Sequence, residues 1–514
     1  MTRTAKPANW LPAAALTACW TIWARGRPSS IYREAKPMSD QVSRFKPEEG
    51  RDVIIPEDVR DQLLLTTESD DELNEHMLGP MKKTGPVFWI SLAILGAIFF
   101  WGLYAWGYQI RWGFGVAGIN RPVYWGMYIS TFVFWVGISH AGTMISAVLR
   151  VFKADWRRPI TRGAEAMTMF ALLMAGLFPM IHVGRIWKVY WMVPYPNNRY
   201  LWPNFQSPLM WDMVAITTYL VGSSLYLYLA LIPDLGMARD KSTGWRYQLY
   251  RALALGWRGT EPGWHKLEKA LGIFAIVIIP IFLSVHSIVS WDFAVTVQPR
   301  WHSTILPIFF IIGAVFSGLS ALASILVLVR WGMKLQFFIR KEHLNNIGLL
   351  VMVAGLAWVY VWFAGLIVEW YGNMPVVKEL LHDEWYGDLA PFFWTMMVCN
   401  VLPIIFLMFK RARTNPALLL FLTLMVNVGM FIERFLIVAG NLTRNYLPFD
   451  WGEYKPTWVS LSIVAMTFAG FIMFYMIFTR LIPYVPVWEV KQGRLRFGTR
   501  RVGRVEEVTI TQVD

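Results

Sequence analysis

Long apolar stretches separated by short polar connections run from residue 88 to residue 482. A helix needs roughly 20 apolar residues to cross a ~30 Å hydrocarbon core. Ten segments meet that length: about 88–108, 123–149, 165–184, 209–232, 270–293, 304–329, 345–370, 390–409, 417–438 and 457–482. Backbone groups inside a bilayer have no water to bond, so each segment must satisfy its own as a helix. The pattern predicts an all-α integral membrane protein of about ten transmembrane helices.

The apolar pattern also repeats. GISHAGTMISAVLRV at 137–151 is similar to SGLSALASILVLVRW at 317–331, an offset of 180 residues. SPLMWDM at 207–213 is similar to APFFWTM at 390–396, an offset of 183. The two copies lie four helices apart and therefore share one membrane orientation, a parallel repeat. The expected organisation is two tandem four-helix bundles, at 123–303 and 304–440. Around them lie a polar N-terminal arm at 1–87, a first helix and loop at 88–122, a last helix within 441–482 and a tail at 483–514.

Composition removes the soluble alternatives. Of 514 residues 56% are hydrophobic and only 16% charged, against about 25% charged in an average soluble domain. Many of the 28 Trp stand near predicted helix ends, among them Trp101, Trp187, Trp191, Trp301, Trp370 and Trp451, where indole rings anchor at the headgroup level. The net charge of +14 does not point to nucleic acid, because the cations alternate between loops instead of forming one patch. Lys82 and Lys83, the Arg150–Arg162 region, the 234–269 loop, Arg330–Lys341, Lys410–Arg413 and the tail form the cation-rich set. Arg111, Arg121, Arg185, Lys188, Arg199, Arg300, Lys378, Arg444 and Lys455 form the sparse one. The positive-inside rule then predicts cytoplasmic termini and, in a bacterium, sparse loops facing the periplasm across the inner membrane. Trp10–Ala24 is too short to span and lacks a clean cleavage site, so it does not read as a signal peptide. Met38 offers an alternative start, and residues 1–37 carry no weight in the functional reading.

Two cysteines, Cys19 and Cys399, cannot supply the four thiolates of an iron–sulfur cluster. Paired intramembrane histidines at helical spacing, as for a bis-histidine haem, are missing as well. The expectation is that no redox cofactor and no metal is bound by this chain alone. Ionisable groups within spans are expensive and are functional candidates by default. Near the predicted periplasmic ends these are His182, Arg185, Asp212, His286, Asp292, His302, Glu369, Glu433 and Arg434; deeper lie His140 and Glu165. The competing reading of each is a helix-end snorkel or an interhelical hydrogen bond, and it weighs least on His140, well inside its span. Carried across the repeat, His140 meets Ser320, Glu165 meets Asn345 and Asp212 meets Thr395. Titratable groups concentrated in one of two similar bundles suggest that the first binds a protonatable ligand and the second is mainly scaffold. A quinol fits, since its oxidation releases two protons that imidazoles and carboxylates can accept. A transporter fits less well, because its repeats are commonly inverted and carry Gly/Pro-broken half-helices.

The stretches RPVYWGMYISTFVFWVGISHAGTMISAVLRVFKADWRRPITRGAEAMTMFALL, SVHSIVSWDFAVTVQPRWHSTILPIFFIIGAVFSGLSA and GMFIERFLIV together resemble the NrfD/polysulfide-reductase membrane-subunit family. The resemblance runs from about residue 70 to 480 and is nearest to the quinol-oxidising C subunit of bacterial alternative complex III, rather than to its F paralogue. It implies a menaquinol or ubiquinol site in the first bundle on the periplasmic side. It also implies an iron–sulfur subunit that takes the electrons, multihaem cytochrome c subunits beyond it, and a paralogous NrfD-like membrane subunit alongside. Within the matched region His182, Arg185, Asp212, His286 and Asp292 are assigned to quinol. Asp292 follows His286 by six residues, roughly 120° off a shared helical face, so the two do not point at one ligand atom. His140, Glu165, Glu369 and Glu433 are assigned to a proton path, which leaves both proton translocation and simple proton release on the periplasmic side open. The alternatives are the quinone-binding subunit of a polysulfide- or formate-type molybdopterin oxidoreductase and a non-catalytic membrane anchor.

Overall fold

Ten helices among the described residues are long and apolar enough to cross a membrane, one for each predicted segment. In the computed structural model the described residues are 77–79, 81, 84–193 and 206–492 with two tail strands; of Trp191, Leu209 and the strands, the backbone alone is described. Nearly all of the N-terminal arm, with Cys19, Lys82 and Lys83, lies outside them, as does Arg199.

The helices are α1 (Pro86–Trp112), α2 (Met127–Val151), α3 (Thr161–His182), α4 (Pro208–Asp240), α5 (Gly244–Leu253), α6 (Glu261–Ala294) and α7 (Leu306–Gly332). They continue with α8 (Lys341–Gly372), α9 (Pro375–Tyr386), α10 (Ala390–Leu407), α11 (Lys410–Thr414), α12 (Pro416–Phe435), α13 (Trp458–Leu481) and α14 (Val487–Gln492). Proline in the first turn opens α1, α4, α6, α7, α10 and α12, where its missing N–H costs nothing. The Asn415 side chain caps α12 by accepting from Ala417 N and Leu418 N, and Thr457 caps α13 by accepting from Ser460 N. A five-residue π-helix, Leu436–Gly440, extends α12. The tail carries the one hairpin among the described residues, outside the membrane-spanning helices. Strands β1 (Leu495–Val502) and β2 (Val505–Gln512) pair antiparallel, with Arg500 opposite Glu507 and Arg501 opposite Glu506.

Helix pairing follows the repeat. In the first half α2 packs on α3 and α6, and α4 on α6 and α3; in the second α7 packs on α8 and α12, and α10 on α12 and α8. The two halves meet along α2 and α7, and α1 pairs with α13 outside them. The α2–α7 contact is made by the repeated segments themselves. A Cβ on Gly318 would lie 2.0 Å from the Ala141 Cβ; between α2 and α3, one on Gly142 would lie 2.2 Å from the Ala164 carbonyl oxygen. Small residues let membrane helices approach this closely. Gly318→Leu is therefore expected to destabilise the chain by about 1–3 kcal/mol through overpacking, read as a lower unfolding midpoint in detergent; an unchanged midpoint would show that α2 and α7 can separate freely.

Trp301 differs from expectation. It is buried, packs on Trp125 and Phe293, and its indole N–H donates to the Ile437 carbonyl at 2.7 Å. It joins the two halves at one end instead of anchoring at lipid headgroups. Trp101, Trp187, Trp370 and Trp451 are exposed.

At the basic end of the first bundle the chain closes on itself after α13. Asp234 pairs with Arg162 at 2.5 Å and accepts from the backbone N–H of Val487 and Trp488, both at 3.1 Å. Arg162 also donates to the Pro483 and Ala230 carbonyls. Glu489 pairs with Arg157 at 2.8 Å and with Arg150. Burial alone would push the Glu489 carboxyl up, but Arg150, Arg157 and Arg162 together outweigh it and hold the group below the usual carboxylate range. A carboxyl depressed in the folded chain stabilises it above the unfolded value, and that contribution is lost as pH falls through the folded value. The segment from Ile482 to Gln492 is therefore expected to stay docked through neutral pH and loosen in acid. Its protease sensitivity against pH checks this, and release on raising the pH would contradict it.

Candidate functional site

The cavity of interest opens at the other end of the first bundle, away from the arginines. It has a volume of about 1100 Å³ and is walled by the starts of α2 and α4, the ends of α3 and α6, and the 3-10 turn after α3. The wall is mainly apolar, with Leu172, Leu177, Met180, Ile216 and Phe293 among its residues. Pro179, within the last turn of α3, also lines it; lacking an N–H, it leaves the Ala175 carbonyl without its helical donor.

Three of the predicted residues line this cavity: His182, Asp212 and Asp292. The Asp212 and Asp292 carboxyl groups, from α4 and α6, hydrogen-bond to each other. Such a contact requires a proton on one of the two. Among the described residues, Asp212 Oδ1, Asp292 Oδ1 and His182 Nδ1 are buried without a hydrogen-bond partner. Buried polar atoms are nearly always satisfied; the two carboxyl groups can satisfy one another by sharing a proton, and His182 Nδ1 marks where a ligand or water with a matching group would bind. Lys188 lines the same cavity, although the sequence pattern marks it only as a loop cation. Arg185 is exposed on the turn and is not among the lining residues.

His286 also lies off the cavity, because it faces away from Asp292 on α6. Its Nε2 is 2.7 Å from the Phe310 carbonyl of α7, and its ring meets that of His140 at 5.1 Å. Phe293 lines the cavity and packs on Phe310 at 5.5 Å, so two aromatic rings stand between cavity and histidine. His140 is fully buried, stacked on Tyr219 at 4.4 Å, with Nδ1 bonded to the Val136 carbonyl of its own helix at 2.5 Å.

From His140 polar side chains continue toward the basic end. Thr143, Thr168 and Ser223 surround the Tyr219 hydroxyl, which donates to the His140 carbonyl at 3.0 Å. Next come Ser146, Glu165 and Tyr226: Ser146 Oγ donates to Glu165 Oε1 at 2.6 Å, and Tyr226 is near both. Arg150 Nε donates to the Tyr226 hydroxyl at 3.1 Å, and the same guanidinium reaches Glu489. An apolar layer that includes Leu172, Phe282 and Val285 packs around Tyr219 beside the cavity.

The other two carboxylates assigned to a proton path stand elsewhere. Glu369 receives a 2.9 Å bond from Arg300, which also pairs with Glu384 at 2.6 Å. Burial pushes the Glu384 carboxyl up, with Arg300 opposing it. Glu433 is buried in the second half, accepts from the Trp358 indole at 2.7 Å and lies 3.3 Å from Arg434. Neither joins the line through His140 and Glu165. The side chains of the cavity and of the polar line that the sequence reading did not mark as site candidates are Lys188, Tyr219, Tyr226, Arg162, Asp234 and Glu489. Tyr219 and Tyr226 stand seven residues apart on α4, two helical turns on one face; that spacing was the available signal.

The family described as Polysulphide reductase, NrfD, matches residues 115–444. The chain belongs to that family of multi-pass membrane proteins. It is 27% identical over 239 residues to a membrane subunit of a dimethyl sulfoxide reductase from Halobacterium salinarum, covering 46% of this chain and 51% of the relative, so this match spans about half of that protein's length. It is 22% identical over 374 residues to the integral membrane subunit of an Hdr-like menaquinol oxidoreductase from Archaeoglobus fulgidus, covering 70% of this chain and 82% of the relative. It is 22% identical over 409 residues to the integral membrane subunit of a menaquinone reductase from Nitratidesulfovibrio vulgaris, covering 75% and 90%. All three are named as membrane subunits of oxidoreductases.

Proposed function

We propose that this chain is the quinol-oxidising membrane subunit of a respiratory complex of the alternative complex III type, taking menaquinol or ubiquinol into the first bundle. The observation that carries the reading is the 1100 Å³ cavity whose apolar wall holds the paired Asp212 and Asp292 carboxyl groups and a His182 imidazole with an unpartnered Nδ1. A quinol needs that combination: apolar contact for ring and tail, and acceptors for two hydroxyl groups. Oxidation of QH₂ to Q breaks two O–H bonds and yields two protons and two electrons. The ionised member of the Asp212–Asp292 pair and a neutral His182 can each take one proton. The electrons leave to a partner, an iron–sulfur subunit on the periplasmic side with multihaem cytochrome c subunits beyond it. A paralogous membrane subunit accompanies this chain in the bilayer.

In this reading the protein resides in a bacterial inner membrane with both termini cytoplasmic, which puts the cavity on the periplasmic side. The His140–Glu165 line then reaches from near the site toward the cytoplasm and carries protons if turnover is coupled to translocation. The relative named as a menaquinone reductase favours a second reading: the same groups donate protons to a quinone that is being reduced, as in a formate-type molybdopterin oxidoreductase. A photoreactive quinone added to the purified complex is expected to label the α3, α4 and α6 segments that wall the cavity, and excess quinol should suppress the label. Labelling confined to the second half, or none in a complex that still assembles, would return the chain to a membrane anchor.

A further inference from the structure

The basic end of the polar line is closed by the segment after α13, and among the described residues the charges there balance only if Glu165 is counted. Arg150 from α2, Arg157 from the α2–α3 connection and Arg162 from α3 face Asp234 from α4 and Glu489 from α14. Arg158 is paired with Asp155 at 3.0 Å. That leaves three guanidinium groups against two carboxylates, and Glu165 is the third carboxylate beside them, with Arg150, Arg162 and Glu489 all acting on it. Glu489, Arg162 and Asp234 are buried, so bulk water does little to screen the imbalance.

We infer that Glu489 is a positioning residue for Glu165: by holding Arg150 and Arg157 in ion pairs, it leaves Glu165 free to bind and release a proton at this end of the line. Trp488 seats the segment, its indole N–H donating to the Ala230 carbonyl at 3.0 Å within a cluster that includes Tyr226. The Thr161 hydroxyl donates to Glu489 at 3.4 Å. Without the Glu489 carboxylate, Glu165 becomes the remaining partner for Arg150 and is fixed as its counter-ion. Without Arg157, Asp234 and Glu489 already neutralise Arg150 and Arg162, and Glu165 keeps its proton. The two changes act in opposite senses, which loosened packing would not produce.

The inference rests on the proton-carrying role proposed for Glu165, and its test reads the carboxyl group itself. In the purified complex, infrared difference spectra against pH would show a protonated-carboxyl C=O band that E165Q removes. In E489Q this band is expected to be lost across the pH range where the wild type shows it. In R157Q it should persist into alkaline conditions where the wild-type band has gone. A wild type lacking the band, or variants that titrate like the wild type or shift in the same direction, would overturn the inference. Should E489Q fail to assemble, R157Q decides alone: a wild-type titration there overturns it. Quinol turnover is measured in the same preparations, so an inactive wild type with the expected spectra would reject the proposed function and leave this inference standing.

Discussion

Replacing Asp292 by Asn is expected to lower quinol turnover by about 10²–10⁴-fold, the range for loss of a positioned acid–base group, while the complex still assembles. Asn has the shape of Asp and can still hydrogen-bond to Asp212, so the cavity wall is preserved; what is lost is the shared proton site facing the cavity. Asp212→Asn should behave alike, since the two carboxyl groups share one hydrogen-bonded contact. His286→Gln should do less to quinol affinity, because Phe293 and Phe310 separate that ring from the cavity; its cost falls on movement of protons past His140. Glu369→Gln breaks only a part-exposed pair with Arg300 and should leave turnover within a few-fold of wild type. The measurement is quinol:acceptor turnover and quinol affinity for each variant in assembled complexes. Equal losses in D292N and E369Q would mean that the carboxyl pair is not where the substrate protons go.

The spans were legible because each must carry enough apolar residues to cross the bilayer, a constraint written locally in the chain. The paired helix arrangement was legible for the same reason: the segments at 137–151 and 317–331 are alike because they occupy equivalent places, and they pack on each other through Ala141 and Gly318. Asp212 and Asp292 stood out as charges inside apolar runs, and the six-residue offset already turned His286 away from Asp292. Long-range pairing was not legible. Nothing in the tail marks Glu489 as the partner of Arg150, 339 residues earlier. Asp234 read as the start of a basic loop, yet it is fully buried. Trp301 read as an interfacial anchor because sequence position gives depth in the membrane and not the direction a side chain faces. The same gap hid α5 and α9, short helices within stretches read as loops, and the π-helical end of α12.

Glu433→Gln should cost about 3–5 kcal/mol of stability, the range for removing one partner of a buried ion pair. Glu433 and Arg434 are both buried in the second half of the protein. The substitution keeps an oxygen able to accept from the Trp358 indole, so hydrogen bonding changes little and the loss is electrostatic. Arg434 would remain with its guanidinium over the Phe310 ring at 4.8 Å, in a setting where a bare cation is expensive. Because the Phe310 carbonyl holds His286 at 2.7 Å, strain on Arg434 should also reach the His140–His286 pair and lower turnover as a secondary effect. The paired change E433Q with R434M removes both charges and fills similar volume, so it should recover most of the lost stability, as neutral replacements of buried ion pairs often do. Unfolding midpoints of the wild type and the two variants in one detergent measure the difference. If E433Q alone matches the wild type, the guanidinium is already compensated by water at its Nη1 and Nη2 donors, and the pair has no structural role.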